Sequence, residues 1–367
     1  MTFKERLGLV YLLLPFISVV NNRFSLLYSI LFEKSEYKVQ IANKVIKIPG
    51  TKFGTLRDLL ACLTYSISYS FNSSDDLEFR FDENSKFTVS TKKMSFEDTN
   101  LLELLYLGTK HCANFLNDVT LEDIRQQTYR IATENNKKII ITSDGIKFYL
   151  DSIHPGNTII ETFVRQIHSI NPKIDWNNKI VVDIGAECGD TPLYFANLGA
   201  KVYAFEPLKK HFEFLEKNLK LNPDISEKII PINAAIGKDE QLKFHISNDN
   251  DERGSLGASF ISNNQNKNFK YELVDGFKLE TARKKFKIDH IDLLKMDCKG
   301  CEFFLSDNDL KNIDRIKLEY SIHDKKYKLN DLLELFKRNG FKCSIFRNQD
   351  VNRRSNKFSG TIYATKK

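Results

Sequence analysis

The chain has 367 residues, of which 41% are hydrophobic and 28% charged, and its formal net charge is +7. These values predict a folded soluble protein with one large or two medium domains, and they exclude a repeat or low-complexity chain. The basic residues occur in short scattered pairs such as Lys209-Lys210 and Arg353-Arg354. Such pairs are typical of a solvated surface and do not mark out a nucleic-acid groove.

Two apolar runs open the chain. Leu7–Val20 follows two basic residues, and Phe24–Phe32 resumes the run after Asn21-Asn22-Arg23. Neither run reaches the roughly 20 apolar residues that a membrane-spanning helix needs, and no small-residue cleavage site follows. The pattern predicts a pair of helices buried in the domain. The alternative is peripheral contact of residues 7–32 with a membrane surface.

The next hundred or so residues carry short elements of both kinds. A hairpin, a helix, a pair of strands and a helix begun by an N-cap are predicted in turn, at Tyr37–Ile48, Thr55–Tyr69, Leu77–Val89 and Leu101–Leu107. We therefore predict a small α+β domain over residues 1–134, which selects a substrate or partner, and a second domain over residues 135–367.

The second domain opens with a predicted hairpin that turns at Ser143-Asp144-Gly145. The segment Ser152–Glu161 then enters a helix. His154, which precedes a proline, is either an ordinary surface histidine or a group near the mouth of a ligand site.

The stretch from Lys179 to Pro207 has the pattern of a βαβ unit. A β-branched run at Ile180–Val182 breaks into a glycine turn, Thr191–Leu198 has a helical pattern, and Lys201–Phe205 is a second apolar strand. Parallel strands of this kind are buried on both faces of a sheet.

Four residues of this unit lie where open parallel sheets bind ligands, beyond the carboxyl ends of the strands. They are Asp183, Gly185, Gly189 and Glu206. The glycines let the backbone approach a ligand closely. Glu206 lies about 20 residues beyond the first glycine, from where its carboxylate can accept hydrogen bonds from a ribose diol.

A glycine turn with a distal acid also occurs in NAD-binding proteins, so two further residues distinguish the cofactors. Asp183 suits a ligand that carries an ammonium group, as S-adenosylmethionine does, and would repel a pyrophosphate. Glu187 stands where the middle glycine of GxGxxG would be, which makes a poor pyrophosphate cradle. These residues favour S-adenosylmethionine, and a dinucleotide-dependent oxidoreductase is the alternative.

The downstream pattern completes a doubly wound α/β fold. After a helix ending at Leu221, the predicted strands are Lys228–Ile236, Gln241–Ile246, Ile291–Asp297, Arg315–Ile322, Phe341–Arg347 and Gly360–Thr365, with helices at Cys301–Leu310 and Leu329–Asn339. Only a loop separates the last two strands, so they should pair antiparallel. The order predicts the seven-stranded, Rossmann-like sheet of class I methyltransferases.

These residues resemble the FkbM-type methyltransferases, which mostly methylate hydroxyl oxygens of sugars and secondary metabolites. The similarity runs from Lys138 to the C-terminus and rests on VVDIGAECGD with AFEP, on NAAIG, on LLKMDCKGCE and on IKLEYSIH. Two residues depart from the family pattern. Glu187 replaces a small or amide residue, and Lys299 replaces the acid of a KxDxEGxE motif.

The resemblance implies a role for each matched residue. S-adenosylmethionine would be held by Asp183, Gly185, Gly189 and Glu206, with Asn233 and Ala234 near the adenine. Ala186 and Glu187, in the same glycine turn, are also predicted to bind the cofactor. Asp297 would face the methyl group. No metal site is expected.

An alcohol acceptor also requires a base, and three residues at neighbouring strand ends are candidates. Asp297 ends one strand, Glu319 lies in the next, and His323 follows it. Each also has a structural interpretation. Glu319 could pair with a nearby lysine, and His323 could be an ordinary surface histidine.

Cys298 and Cys301 form a CxxC motif inside the proposed site. A zinc site usually needs a second pair, which is absent, and the strand order is not that of thioredoxin. Two half-buried free thiols are therefore expected, with a disulfide or a reactive thiol as alternatives.

The sequence thus predicts an O-methyltransferase that acts on a small molecule, glycan or glycolipid. It is expected in the cytoplasm, with peripheral membrane contact as an option and nucleic acid disfavoured as a partner. The alternative from another class is an inactive cofactor-binding protein that serves in interaction or membrane tethering, which Lys299 and the CxxC motif favour. The sequence does not predict an oligomeric state.

Overall fold

The computed structural model describes residues 2–81, 86–92, 94–107, 130–134, 136–164, 167–168, 174–246, 270–322, 326–346 and 359–366. The chain divides into two compact units. The first comprises Met1–Ser143 with Ile153–Ile160, and the second Asp144–Ser152 with Glu161–Lys367.

The first unit is a small α+β assembly. Its helices are α1 (Phe3–Leu13), α2 (Arg23–Leu31), α3 (Phe53–Tyr65) and α4 (Phe96–Leu107), and its strands are β1 (Glu36–Ile41), β2 (Lys44–Pro49), β3 (Ser68–Phe71), β4 (Leu77–Arg80), β5 (Lys86–Val89), β6 (Arg130–Glu134) and β7 (Lys137–Ile141). The strands β1 and β2 form the predicted hairpin around Ala42, whose φ of 50° suits a tight turn. The third helix ends earlier than predicted, because the chain becomes extended at Ser66 and β3 pairs with β4.

Two expectations for this unit are corrected. The helices α1 and α2 exist, but α1 buries only Leu13 and α2 only Leu26 and Ile30. His154 is buried, with 7% of its surface exposed, so its interpretation as a surface histidine is wrong. Among the described residues, no helix is both long and apolar enough to cross a bilayer.

The second unit contains the predicted βαβ stretch and the elements after it. Its strands are β8 (Lys147–Tyr149), β9 (Ile180–Ile184), β10 (Lys201–Phe205), β11 (Ile229–Ile232), β12 (Ala235–Ile236), β13 (Gln241–Ile246), β14 (Lys270–Phe277), β15 (Leu293–Met296), β16 (Arg315–Ser321), β17 (Phe341–Phe346) and β18 (Ser359–Lys366). Its helices are α5 (Asp190–Asn197), α6 (Lys209–Lys220), α7 (Pro223–Ser226), α8 (Leu279–Phe286) and α9 (Leu329–Arg338). A π-helical segment, Gly156–Val164, contains the boundary between the units.

A seven-stranded sheet forms the centre of this unit, in the order β11-β10-β9-β15-β16-β18-β17. The first five strands are parallel, and β18 runs antiparallel to both β16 and β17. One face of the inner strands is apolar and packs with α8 and α9 in one continuous core, whereas the other face carries the buried Asp183, Lys295 and Lys317. The doubly wound, Rossmann-like fold predicted from the sequence is thereby confirmed.

Two predicted elements are shorter in the structure. The strand expected at Lys228–Ile236 divides into β11 and β12, which belong to different sheets, because Asn233 turns aside to bond two backbone carbonyls. The helix expected at Cys301–Leu310 is a single 3₁₀ turn, Cys301–Phe304.

Candidate functional site

The strand order reverses between β9 and β15, which are neighbours although β10 and β11 come between them in the chain. Such a switch point leaves a crevice at the carboxyl ends of the two strands. A pocket opens there, at the place where open parallel sheets bind small molecules. Its lining includes Ile184, Gly185, Glu187, Glu206, Pro207, Leu208, His211, Ala234, Ala235, Ile236, Phe244, Asp297, Cys298, Lys299 and Cys301.

The glycine turn, Gly185–Gly189, follows β9 and can be built only with glycine at its two ends. Gly185 and Gly189 have φ of 85° and 89°, in the left-handed region that side chains disfavour. A Cβ atom at Gly185 would lie 2.1 Å from the carbonyl oxygen of Asp297, and one at Gly189 would lie 2.5 Å from Leu215 Cδ1. The backbone N–H groups of Gly185 and Ala186 both donate to the Phe205 carbonyl oxygen, which fixes the turn against β10.

Glu206 follows β10 and is held by the backbone around it. Its Oε2 accepts a hydrogen bond from the Glu187 N–H at 2.9 Å, and its Oε1 accepts one from the Leu208 N–H at 2.9 Å. His211 Nδ1 lies 3.6 Å from Oε1. The carboxylate is therefore fixed at the cavity wall with lone pairs left for a ligand, since each oxygen can accept about two hydrogen bonds.

Glu187 is the most unusual residue of the glycine turn. It is a non-glycine residue with φ of 45°, and its side chain lines the cavity. Burial, together with the nearby carboxylates of Asp190 and Glu206, raises the pKa of Glu187 to about 7. A carboxyl group at this position is thus poised to lose its proton when a cation binds.

Asp183 lies behind the turn and is fully buried. Its Oδ1 is 2.9 Å from Lys295 Nζ, and Lys295 Nζ also donates to the Gly185 carbonyl oxygen at 3.1 Å. Burial raises the pKa of Asp183 to about 6 even though Lys295 opposes the shift. The structure places Asp183 as the partner of Lys295, which in turn holds the glycine turn.

The segment between β11 and β12 supplies the next part of the wall. Ala234 lines the cavity, whereas the side chain of Asn233 donates to the carbonyl oxygens of Glu206 and Pro207, at 2.9 and 3.0 Å. Asn233 therefore fixes the loop that carries Glu206.

A second turn, Asp297–Gly300, follows β15, and we call it the lysine turn. Asp297 and Lys299 both line the cavity, and their Oδ1 and Nζ atoms lie 3.7 Å apart. Burial opposes the charge on Asp297, but Lys299, Lys295 and Lys317 together keep its pKa below the ordinary value. The aspartate is thus held ionised by lysines.

The other two predicted bases differ from Asp297. Glu319 is half-buried on β16, and the charge of Asp297, with burial, raises its pKa. Glu319 is not among the cavity-lining residues. His323 lies outside the described residues.

Cys298, in the lysine turn, and Cys301, directly after it, are joined in a disulfide. The expectation of free thiols is therefore wrong. Both line the cavity. Behind them, Glu302 is fully buried and accepts hydrogen bonds from the backbone N–H groups of Gly300 and Ser321, at 2.7 and 2.8 Å. Burial raises the pKa of Glu302 to about 7.

A row of polar side chains crosses the central sheet, and the sequence pattern did not predict it. Asp183, Lys295, Lys317 and Tyr363 are paired in register on β9, β15, β16 and β18. Side chains at one register position of neighbouring strands lie on the same face. The only sequence signal was a lysine in each of two otherwise buried strands, and strand register is needed to bring them together.

A buried chain of contacts continues this row. Lys317 Nζ lies 2.8 Å from His168 Nδ1, His168 Nε2 lies 3.2 Å from the Thr162 hydroxyl, and that hydroxyl donates to Asp190. Burial and the neighbouring Lys317 hold the pKa of His168 well below its ordinary value, so the histidine is neutral. The network connects the lysine row to the first turn of α5.

Comparison with known proteins agrees with this geometry. The sequence model of the methyltransferase FkbM domain family matches residues 183–343. No curated protein matches the chain. The sheet order and the cavity at its switch point define a Rossmann-like class I methyltransferase fold, the class whose methyl donor is S-adenosylmethionine. Within that class, the matched residues are similar to the methyltransferase FkbM domain.

Solved structures with distant similarity are also methyltransferases. Precorrin-6y C5,15-methyltransferase from Geobacter metallireducens is 13% identical, with a TM-score of 0.35 over 57% of this chain and 91% of that one. Magnesium protoporphyrin IX methyltransferase from Synechocystis, with bound S-adenosylmethionine, is 12% identical, with a TM-score of 0.31 over 53% and 72%. Methyltransferase FkbM from Methylobacillus flagellatus is 14% identical, with a TM-score of 0.33 over 52% and 44%.

Proposed function

We propose that this protein transfers the methyl group of S-adenosylmethionine to a hydroxyl oxygen of a glycan, glycolipid or secondary metabolite. The observation that carries the proposal is the cavity at the switch point. Its wall holds Glu206 at the end of β10 and Asp297 at the end of β15, one suited to a ribose and the other to the reacting groups.

The residues of the cavity fit the cofactor in charge and in shape. Glu206 offers carboxylate lone pairs to a ribose diol, and Ala234 offers an apolar wall to the adenine. Glu187 offers a carboxylate to the cationic end of the cofactor. A Cβ atom at Gly185 would collide with the Asp297 carbonyl oxygen of the opposite turn, so glycine there lets the two turns that line the cavity approach each other closely.

When bound, S-adenosylmethionine supplies a methyl group activated by its sulfonium. The protein must align the acceptor hydroxyl with that methyl group, an effect that can contribute several kcal/mol. It must also remove the hydroxyl proton. We assign this task to Asp297, which lines the cavity, and to Glu319 on the neighbouring strand, whose pKa the charge of Asp297 raises.

The two carboxyl groups have different tasks in this proposal. The lysines around Asp297 keep it ionised, so it can orient the hydroxyl or accept its proton near neutral pH. The raised pKa of Glu319 brings that group nearer to the value at which a general base is most efficient. Lys299, which lines the cavity, can stabilise the negative charge that develops on the acceptor oxygen as its proton leaves.

We assign methyl transfer to residues 135–367 and the choice of acceptor to residues 1–134. The FkbM domain match lies entirely within the first of these ranges. The first unit has buried apolar residues of its own, and none of its described residues lines the cavity, which fits a separate role.

The proposal is tested with S-adenosylmethionine labelled in its methyl group, incubated with the full-length protein and with lipid, glycan, small-molecule and RNA fractions of an extract. We expect label in an acceptor that carries hydroxyl groups, and a loss of about 10²–10⁴-fold in rate for Asp297→Ala. The control is Asp224→Ala, an exposed carboxylate on α7. Equal rates for wild type and Asp297→Ala, or label found only in RNA, would contradict the proposal.

One observation favours a second candidate, an inactive cofactor-binding protein. Lys299 stands where the family has an acid, and its ammonium lies 3.7 Å from Asp297. Binding of S-adenosylmethionine without any methyl transfer by wild type, together with activity gained by Lys299→Glu, would support this candidate.

A further inference from the structure

The helices α1 and α2 expose a stripe of large apolar side chains each. On α2 and its C-cap the stripe consists of Phe24, Tyr28 and Phe32, which are 76%, 53% and 55% exposed. On α1 and its C-cap it consists of Phe3, Leu7, Tyr11 and Leu14, which are 63%, 39%, 66% and 47% exposed. The spacing of three and four residues places each set on one side of its helix. We call the seven residues the aromatic stripes.

Both stripes point away from the core of the first unit. Each helical residue turns the chain by about 100°, so Leu26 and Ile30, the buried residues of α2, lie about 200° from Tyr28. Leu13, the buried residue of α1, has the same relation to Tyr11. The helices are antiparallel, since Arg6 at the start of α1 donates to the Leu31 carbonyl oxygen at the end of α2.

Basic side chains accompany the stripes. Lys4, Arg23 and Lys34 are exposed. The Arg23 guanidinium lies 5.3 Å from the centre of the Phe24 ring, and Lys34 Nζ lies 5.9 Å from that of Tyr28. The acids nearby are engaged, because Glu5 caps α1 through Thr2 and Glu33 forms an ion pair with Arg6. Residues 1–35 hold four basic and two acidic side chains, a net charge of +2.

We propose that the aromatic stripes dock on the surface of an anionic lipid bilayer. Aromatic rings flanked by lysine and arginine match the boundary between acyl chains and headgroups, where the rings are embedded and the cations meet lipid phosphates and carboxylates. Helices of 11 and 9 residues are shorter than the roughly 20 that span a bilayer. The helices therefore lie on the membrane. This docking does not depend on the proposed methyl transfer.

The experiment measures sedimentation of the full chain with vesicles of phosphatidylcholine and phosphatidylserine, and with vesicles of phosphatidylcholine alone. We expect binding to the anionic vesicles that weakens as salt is added. The triple variant Phe24→Ser, Tyr28→Ser, Phe32→Ser should lower the partition coefficient roughly tenfold or more. The variant Lys4→Gln, Arg23→Gln, Lys34→Gln should remove the preference for phosphatidylserine.

The matched control replaces three exposed apolar residues outside the stripes with serine: Ile67, Tyr271 and Leu273, which are 71%, 56% and 57% exposed. It should bind vesicles as wild type does. Thermal unfolding of each variant verifies that it is folded. Failure of wild type to sediment with anionic vesicles, or an equal loss in the control, would overturn the proposal. The proposal would also be overturned if wild type formed an oligomer in size-exclusion chromatography and the stripe variant were monomeric. The aromatic stripes would then contact a second copy of the chain.

Discussion

The pKa of a carboxyl group is raised in one of the two turns that line the cavity and lowered in the other. In the glycine turn, burial and then the neighbouring acids raise the pKa of Glu187 to about 7. In the lysine turn, Asp297 is next to Lys299 and two further lysines, and its pKa is lowered. One turn thus holds a carboxyl group that a cation can ionise, and the other holds a carboxylate that is already ionised.

This difference assigns separate tasks to the two turns. A carboxyl group that awaits a cation suits the binding of a positively charged cofactor. A carboxylate kept ionised by lysines suits the orientation of an acceptor hydroxyl and the uptake of its proton. Lys299, one of the two residues at which this chain departs from the FkbM pattern, has the strongest effect of the three lysines in lowering the pKa of Asp297. The departure therefore changes how the site is charged.

The largest effect should come from forcing the two turns apart. Gly185→Ala places a Cβ atom 2.1 Å from the Asp297 carbonyl oxygen, in a backbone conformation that alanine disfavours. We expect a loss of about 2–4 kcal/mol in the free energy of unfolding and no measurable cofactor binding. Denaturant unfolding and calorimetry measure the two effects.

The matched control is Gly340→Ala. Gly340 has a φ of 84°, but nothing lies within 4 Å of the position of its Cβ atom. It should lose only about 1 kcal/mol and keep cofactor binding. Equal losses in the two variants would mean that the contact between the turns has no special importance.

A smaller effect should follow from Glu187. Its pKa in the free protein is about 7, and a cationic ligand favours the ionised form. Below that pH the ligand must displace a proton, so affinity for S-adenosylmethionine should rise by about tenfold from pH 6 to pH 8. Calorimetry at several pH values measures this slope.

The variant Glu187→Gln should lose that pH dependence, whereas Glu213→Gln, an exposed residue on α6, should keep it. Asp183 and Glu302 also have raised pKa values, near 6 and 7, but neither lines the cavity. If the affinity of Glu187→Gln still rose with pH, the group that titrates would be Asp183 or Glu302 and not Glu187.

The smallest effect should come from removing the positive charge of Lys299 in the lysine turn. Lys299→Met removes the cation that most favours ionisation of Asp297. The acidic limb of the profile of kcat/KM against pH should therefore move to higher pH. Lys284→Met, which removes an exposed ion pair with Glu280 on α8, is the control. An acidic limb that stays in place would show that Asp297 does not set it.

Much of the fold followed from local patterns in the sequence. Buried parallel strands are runs of apolar residues, and Ile180–Val182 and its neighbours are recognisable as such. The antiparallel pairing of the last two strands followed from the loop between them. Side-chain contacts could not be predicted in this way. The break at Asn233 depends on its hydrogen bonds to the carbonyl oxygens of Glu206 and Pro207, which follow β10. The burial of α1 depends on which of its residues pack against other elements.

Part of the site could likewise be predicted from the sequence, and part could not. Spacing alone indicated Gly185 and Glu206, because both belong to a single βαβ unit. The partnership of Asp183 with Lys295 and the contact of Lys317 with His168 join residues more than 100 positions apart. The register of β9, β15 and β16 brings Asp183, Lys295 and Lys317 together, and His168 contacts Lys317 from outside the sheet. The tuning of Asp297 by three lysines was therefore outside the reach of the sequence.

Calorimetric titration of the full-length protein with S-adenosylmethionine and, separately, with NAD tests the central claim most directly. We predict saturable binding of one S-adenosylmethionine per chain, weakened by Glu206→Gln, and no binding of NAD. Saturable binding of NAD without binding of S-adenosylmethionine would contradict the assignment of the cavity.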